Sequence, residues 1–158
     1  LTCAERNEDI NIVIDAGGLY YMKEFGCPSS AIITPHPGEA AMLLDCSVEE
    51  LQENRLGAAK ELYKKYNCLI ILKGYQTIVF DGEAYQCTDG GPALSTAGTG
   101  DVLAGLIGSF LAQGLSKLDA ARFSVAIHGA AGDRFSRNKR IRGLTATKLI
   151  KIINEEML

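Results

Sequence analysis

Residues 97–101 read Ala-Gly-Thr-Gly-Asp, and an uncharged apolar run follows from Val102 to about Leu115. Glycines let a backbone come close to a bound group. The free N–H groups of a helix's first turn, with the positive end of its dipole, hold anions. Gly98, Thr99 and Gly100 are therefore candidates for an anion cradle. Asp101 is the odd member, because a carboxylate repels a bound phosphate, by several kcal/mol at low dielectric and far less near water. A pure binding loop would avoid it. A phosphoryl-transfer site would use it, since a carboxylate can take the proton from an attacking hydroxyl while the helix end stabilises the transferred group. The alternative is that Asp101 merely caps the helix, a gain of about 1 kcal/mol, although Thr99 could cap equally well. The loop is not a Walker A motif, because Gly-Lys-Ser/Thr is missing, and no Gly-x-Gly-x-x-Gly follows the first strand, which argues against a dinucleotide-dependent dehydrogenase.

Other residues could join this chemistry. Lys73 closes the apolar run Cys-Leu-Ile-Ile-Leu-Lys-Gly at 68–74. Ligands of α/β folds sit at the carboxyl ends of strands, where a lysine can neutralise phosphate; a solvated strand-end lysine is the competing reading. His36 stands between two prolines, and on sequence alone it is as easily structural as functional. Glu39 lies where an acidic side chain favours a helix N-terminus. His128, within an apolar helical stretch, reads as a packing residue.

Those residues need elements to hold them. Residues 10–16 and 31–35 are short β-branched strands, and 68–74 is apolar enough to be buried on both faces. Helices are expected over 19–25, 37–45 and 47–66. The last opens on Ser-Val-Glu-Glu, with Glu50 placed to complete a capping box with Ser47. Residues 77–87 form a hairpin, with Asp81-Gly82 as a two-residue type I′ turn. Helices follow at 101–113, after Ser116 and after Thr145, with both hydroxyls as caps. Strands alternating with helices, one hairpin and closing helices make an α/β pattern with a mainly parallel sheet.

Composition narrows the class. With 47% apolar and 22% charged residues the 158-residue chain suits one globular domain. A net charge of −3 leaves no footprint for nucleic acid. The basic run at 138–142 is too short for a membrane surface, and the apolar run is too short to span a bilayer, which takes about 20 residues. Five cysteines with no Cys-x-x-Cys pair lack metal-site spacing. Free thiols in a reducing cytoplasm are the expectation.

Four segments, in order, carry a resemblance: Thr-Pro-His-Pro-Gly-Glu (34–39), Leu-Lys-Gly-x-x-Thr (72–77), Ala-Gly-Thr-Gly-Asp and its helix (97–114), and His-Gly-Ala-Ala-Gly-Asp (128–133). The chain resembles the ADP/ATP-dependent NAD(P)H-hydrate dehydratases of the ribokinase-like superfamily. The resemblance covers the C-terminal part of that family's domain, so residues 1–158 would be that part of a single domain whose N-terminal portion lies outside the sequence. It implies a repair reaction: a nucleotide phosphorylates the ring hydroxyl of hydrated NADH or NADPH, phosphate leaves, and the cofactor is restored. Asp101 is then the catalytic base and a substrate contact, and His36 contacts substrate. Lys73, Gly74, Tyr75, Gln76 and Thr77 bind nucleotide, together with Gly98, Thr99 and Gly100. Magnesium is the implied cofactor, with Glu39 a weak candidate to organise it through water and no dedicated metal cage. ADP or ATP is the donor, ADP being preferred because the histidine in Thr-Pro-His-Pro-Gly-Glu resembles bacterial members. The resemblance further implies a cytoplasmic homo-oligomer with an epimerase domain upstream in a full-length chain. Two departures stand out. The family's Asp-Ala-Asp-Ala-Leu is here Asp-Ala-Gly-Gly-Leu (15–19), and its Asn-Pro-Gly-Met is replaced around Gly-Gly-Pro-Ala-Leu-Ser (90–95). A vitamin-precursor or sugar kinase of the same superfamily would keep Asp101, the loop and Lys73, and a non-catalytic nucleotide-binding module is the other rival.

Overall fold

The computed structural model describes residues 10–137 and 142–157; Cys3 and most of the basic run at 138–142 lie outside them. The chain divides into two compact units, one comprising the residues up to Gly74 with Ile78–Tyr85, the other Tyr75–Thr77 with the residues from Gln86 onward.

The first unit alternates strand and helix: β1 (Ile12–Ile14), α1 (Gly17–Phe25), β2 (Ala31–Ile33), α2 (Pro37–Leu44), α3 (Val48–Glu53), α4 (Arg55–Tyr66), β3 (Leu69–Leu72) and β4 (Ile78–Phe80), with β5 (Ala84–Gln86) beside it. The strands lie in chain order. Pairing is parallel from β1 to β2 (Ile14 beside Ile33) and from β2 to β3 (Ile33 beside Ile70), and antiparallel from β3 to β4. Parallel neighbours need crossover connections, which α1 and the α2–α4 run supply. All four residues of β3 are buried, as its continuous apolar run demands. Leu19, Met22, Leu43, Leu51 and Leu62 pack with the strands into one core.

Two local expectations are corrected. The helix expected across 47–66 breaks at Asn54, whose φ of −139° and ψ of 65° are not helical. Ser47 and Glu50 do form the expected capping box, but the Asn54 side chain then accepts from Gly57 N–H at 3.0 Å and caps a second helix. The local asparagine cap outcompetes continuation of the apolar stripe. In the hairpin, Gly82 takes a positive φ and Asp81 does not, so the turn is not type I′, which needs both.

The second unit contains a 3-10 turn (Pro92–Leu94), α5 (Thr99–Ala112), α6 (Lys117–Ser136) and α7 (Ala146–Met157). Ser116 caps α6 through Asp119 N–H at 3.1 Å, and Thr145 accepts from Lys148 N–H at 3.3 Å. Ala93, Ala131, Leu144, Leu149 and Ile153 form its core. No helix among the described residues is long and apolar enough to cross a membrane.

Candidate active site

In the first unit, a cluster of charge gathers where parallel strands end. Asp15 follows β1, Thr34 follows β2 and Lys73 follows β3. Lys73 Nζ donates to Asp15 Oδ1 at 2.8 Å and lies 3.9 Å from Glu39 Oε2. Thr34 Oγ1 donates to the same Asp15 oxygen at 2.7 Å. The Lys73 and Asp15 side chains are 19% and 14% exposed, so this is not the solvated lysine that a strand end could have carried. Burial pushes the Asp15 carboxyl up, but the hydrogen bonds from Lys73 and Thr34 and the Lys73 charge outweigh it and hold the group below the usual carboxylate value.

His36 and Glu39 form a reciprocal cap at the start of α2. Glu39 N–H donates to His36 Nδ1 at 3.2 Å, and His36 N–H donates to Glu39 Oε2 at 2.7 Å. An imidazole that accepts at Nδ1 carries its proton on Nε2 when neutral. His36 therefore presents Nε2–H as a donor on a ring that is 56% exposed. Glu39 Oε2 is occupied by the His36 amide, and Oε1 lies 3.5 Å from His36 Nε2. Oε2 is thereby engaged, while Oε1 has only the His36 ring edge beside it. Among the described residues no group of three or more His, Cys, Asp or Glu side chains converges on a metal position.

Arg55, the first residue of α4, fixes the strand end itself. Its Nη2 donates to the carbonyls of Leu72 and Lys73, both at 3.2 Å, and its Nη1 to Gln52 Oε1 at 3.0 Å. Burial pushes its guanidinium pKa down. A Cβ at Gly74 would lie 3.1 Å from Arg55 Nη1, so the absence of a side chain there makes room for the clasp.

In the second unit, Gly98 is the N-cap of α5, with φ 85° and ψ −10° and no side-chain cap. The first intrahelical bond is Val102 N–H to Gly98 O at 3.2 Å, so the amides of Gly100 and Asp101 precede the ladder. Thr99 is buried, and its hydroxyl lies 2.6 Å from Leu94 O and 2.8 Å from Thr96 O. Thr99 therefore turns inward rather than capping, and Asp101, in the first turn, supplies no cap bond either. Asp101 is exposed at the edge of a cavity of about 410 Å³ whose walls include Val102, Leu106 and Ile150. His128, on α6, is half-buried and reaches the loop: its Nε2 is 2.9 Å from Thr99 O. Tyr75 is 77% exposed. Gln76 takes a φ of 54° and accepts from Gln86 Nε2 at 2.8 Å, and Thr77 O accepts from Cys87 N–H at 2.9 Å.

The His-Gly-Ala-Ala-Gly-Asp stretch has a mechanical role in this unit. A Cβ on Gly132 would lie 2.6 Å from Leu94 Cγ, and one on Gly129 would lie 2.8 Å from Asp89 O. Asp133 Oδ2 accepts from Gly90 N–H at 3.1 Å. The small residues of α6 thus let the segment ahead of the glycine loop seat closely, and Asp133 ties it down.

Of the sequence candidates, His36, Glu39 and Lys73 come together in the first unit, with Asp15 between Lys73 and Thr34. Gly98, Thr99, Gly100 and Asp101 form one helix entrance in the second. Sequence reasoning passed over Asp15, Thr34 and Arg55. Asp15 had the same signal as Lys73: a charged residue just past an apolar strand.

Residues 3–155 match NAD(P)H-hydrate dehydratase as a family. The chain belongs to that family. It is 40% identical over 145 residues to the bifunctional NAD(P)H-hydrate repair enzyme Nnr of Vibrio cholerae, a match covering 90% of this chain and 29% of that protein. It is 44% identical over 110 residues to the ADP-dependent (S)-NAD(P)H-hydrate dehydratase of Neisseria meningitidis, covering 68% and 37%. The crystal structure of the Bacillus subtilis ADP/ATP-dependent NAD(P)H-hydrate dehydratase, co-crystallised with ATP and Mg²⁺, superposes with a TM-score of 0.85 at 32% identity, covering 93% of this chain and 54% of that one. The chain thus spans about a third of the curated relatives' length and about half of the solved dehydratase. The fold is ribokinase-like, as its resemblance implied. Within the dehydratase family's pattern, the open position is Gly17: a Cβ there meets nothing within 4 Å, and nothing in the structure explains why the aspartate is absent.

Proposed function

We propose that this chain is the C-terminal part of a single domain that restores hydrated NADH or NADPH at the expense of a nucleotide, ADP in preference to ATP. The observation that carries the reading is the entrance to α5. There a glycine N-cap leaves the Gly100 and Asp101 amides ahead of the helix ladder, and a carboxylate stands in the same turn without a capping task. Asp101 takes the proton of the ring hydroxyl as that oxygen attacks the terminal phosphorus, and the amides stabilise charge on the transferred group. The bond from that phosphorus to the rest of the nucleotide breaks and releases a nucleotide one phosphate shorter. The ring C–O bond of the new ester then breaks, inorganic phosphate leaving with its electrons, and loss of a proton from the neighbouring ring carbon restores the double bond. Lys73 and the Gly74–Thr77 turn contact the nucleotide. His36 donates from Nε2 to the substrate.

Magnesium bound with the nucleotide would offset phosphate charge. The occupied carboxylate of Glu39 suits a contact through water, and Mg²⁺ commonly keeps several waters. A cytoplasmic setting and a homo-oligomer belong to the same reading, and the bifunctional relatives support an epimerase domain in the full-length chain.

The test is an assay on the full-length protein. Hydrated NADH is supplied with ADP and magnesium, and NADH absorbance is followed alongside phosphate release. Coupled rises support the reading. Accumulation of a phosphorylated vitamin precursor or sugar, with no NADH formed, replaces it with a kinase. Tight ADP binding with no product of either kind replaces it with a binding module.

A further inference from the structure

The Lys73 ammonium sits in an arrangement that binding alone would not select. One N–H donates to Asp15 Oδ1 at 2.8 Å, and Glu39 Oε2 is 3.9 Å away. Two carboxylates around one ammonium leave the cluster at −1, so an arriving phosphate meets repulsion as well as attraction. A site built only for affinity would present Lys73 without acidic neighbours. Asp15 is itself held from a third strand end by Thr34 Oγ1 at 2.7 Å, and Thr34 is fully buried. The backbone beneath Lys73 is fixed by Lys73 N–H donating to Pro35 O at 2.9 Å and by the Arg55 bond to Lys73 O at 3.2 Å. A free lysine side chain samples many rotamers; here it is confined before any ligand arrives, with the other N–H groups left to donate.

We propose that Asp15 is a positioning residue that fixes the Lys73 ammonium for phosphoryl transfer while weakening nucleotide affinity. This rests on the nucleotide-contact role given to Lys73 above. The signature is a split between binding and turnover. Asp15→Asn removes a negative charge close to the phosphate and frees Lys73 to reorient. ADP then binds several-fold tighter, while kcat falls roughly tenfold to a hundredfold, the scale of a misplacement of about 1 Å in a catalytic group. A purely structural loss would weaken binding and turnover together.

The experiment is a double-mutant cycle in the full-length protein, with ADP affinity measured by calorimetry and kcat from NADH formation. Asp15→Asn is made alone and on a Lys73→Met background, and urea unfolding checks each variant. The expected result is the split in the single variant and its disappearance without Lys73. Thr34→Val, which keeps every charge but removes the hydroxyl that fixes Asp15, is expected to lower kcat with ADP affinity unchanged. Weaker ADP binding with unchanged kcat in Asp15→Asn, or the same effects with and without Lys73, overturns the proposal. A wild type that binds ADP but forms no NADH overturns the repair reading instead, and the affinity arm of the cycle still reports whether Asp15 acts through Lys73.

Discussion

Replacing Gly98 by alanine tests the architecture of the glycine loop with two separable costs. Gly98 sits at φ 85° and ψ −10°, where an L-residue loses about 1–2 kcal/mol. Alanine's stiffer unfolded chain returns roughly 0.4–1 kcal/mol of that. Its methyl would also meet the Ala146 Cβ at 3.2 Å, closer than ordinary contact, so the α7 start must give by a few tenths of an ångström. The net destabilisation is then about 1–2 kcal/mol. With a urea m-value of about 1–3 kcal/mol/M, the midpoint falls by roughly 0.5–1 M. Adding Ala146→Gly removes the methyl contact but leaves the backbone term, so part of the loss returns, less the small helix-propensity cost of a new glycine. Function follows the same geometry, since a shifted Gly98 moves the Gly100 and Asp101 amides, and ADP affinity drops with stability. A Gly98→Ala protein that unfolds at the wild-type midpoint would refute the reasoning, because neither the left-handed backbone nor the close Ala146 contact could then be constraining.

Three further outcomes follow from named geometry. Asp101→Asn abolishes NADH formation by at least about a hundredfold, as expected for a lost general base, while ADP binds no more weakly because a negative charge is gone; near-normal turnover rules out the base assignment. Ala16→Gly raises stability by about 1 kcal/mol, since Ala16 holds φ 47° and ψ −124°, a strained conformation for any residue with a Cβ; an unchanged or lower midpoint contradicts this. Because Asp15 is held below the usual carboxylate value of about 3.9 in the folded state, the folded chain binds fewer protons there than the unfolded one. Its contribution is present above that value and is lost as pH falls through the lower folded one. The drop in unfolding free energy as pH falls below about 4 should accordingly be smaller in Asp15→Asn than in wild type, and parallel curves contradict the assignment.

What could be read from sequence was local. Ser47 with Glu50, Ser116 and Thr145 announced helix starts through cap chemistry that spans three residues, and the apolar run of β3 announced burial on both faces. The break at Asn54 was equally local but hidden, since the surrounding residues continue a helical stripe and the asparagine cap competes with it from within. Asp81-Gly82 suggested a turn type that depends on both backbone conformations, of which only the glycine's was secure. The candidacy of Asp101 was legible because glycines, helix and carboxylate are contiguous. The partnership of Asp15 with Lys73 was not, because it joins residues 58 positions apart.

Strand order is the missing link, and it makes that partnership a consequence rather than an accident. In a parallel sheet every strand delivers its following residue to the same edge. With β1, β2 and β3 adjacent and Ile14, Ile33 and Ile70 aligned across them, the residues just past each strand must meet: Asp15, Thr34 and, from the longer β3, Lys73. Their types then decide what the edge can do. A lone lysine there would wander and bind anions loosely. The hydroxyl of Thr34, buried and donating, holds Asp15 to one oxygen contact with Lys73, and Arg55 holds the strand end without adding an acid. The ammonium is thereby fixed in place while its remaining donors stay available, the condition under which a cation favours a transferring phosphoryl group over a merely bound one.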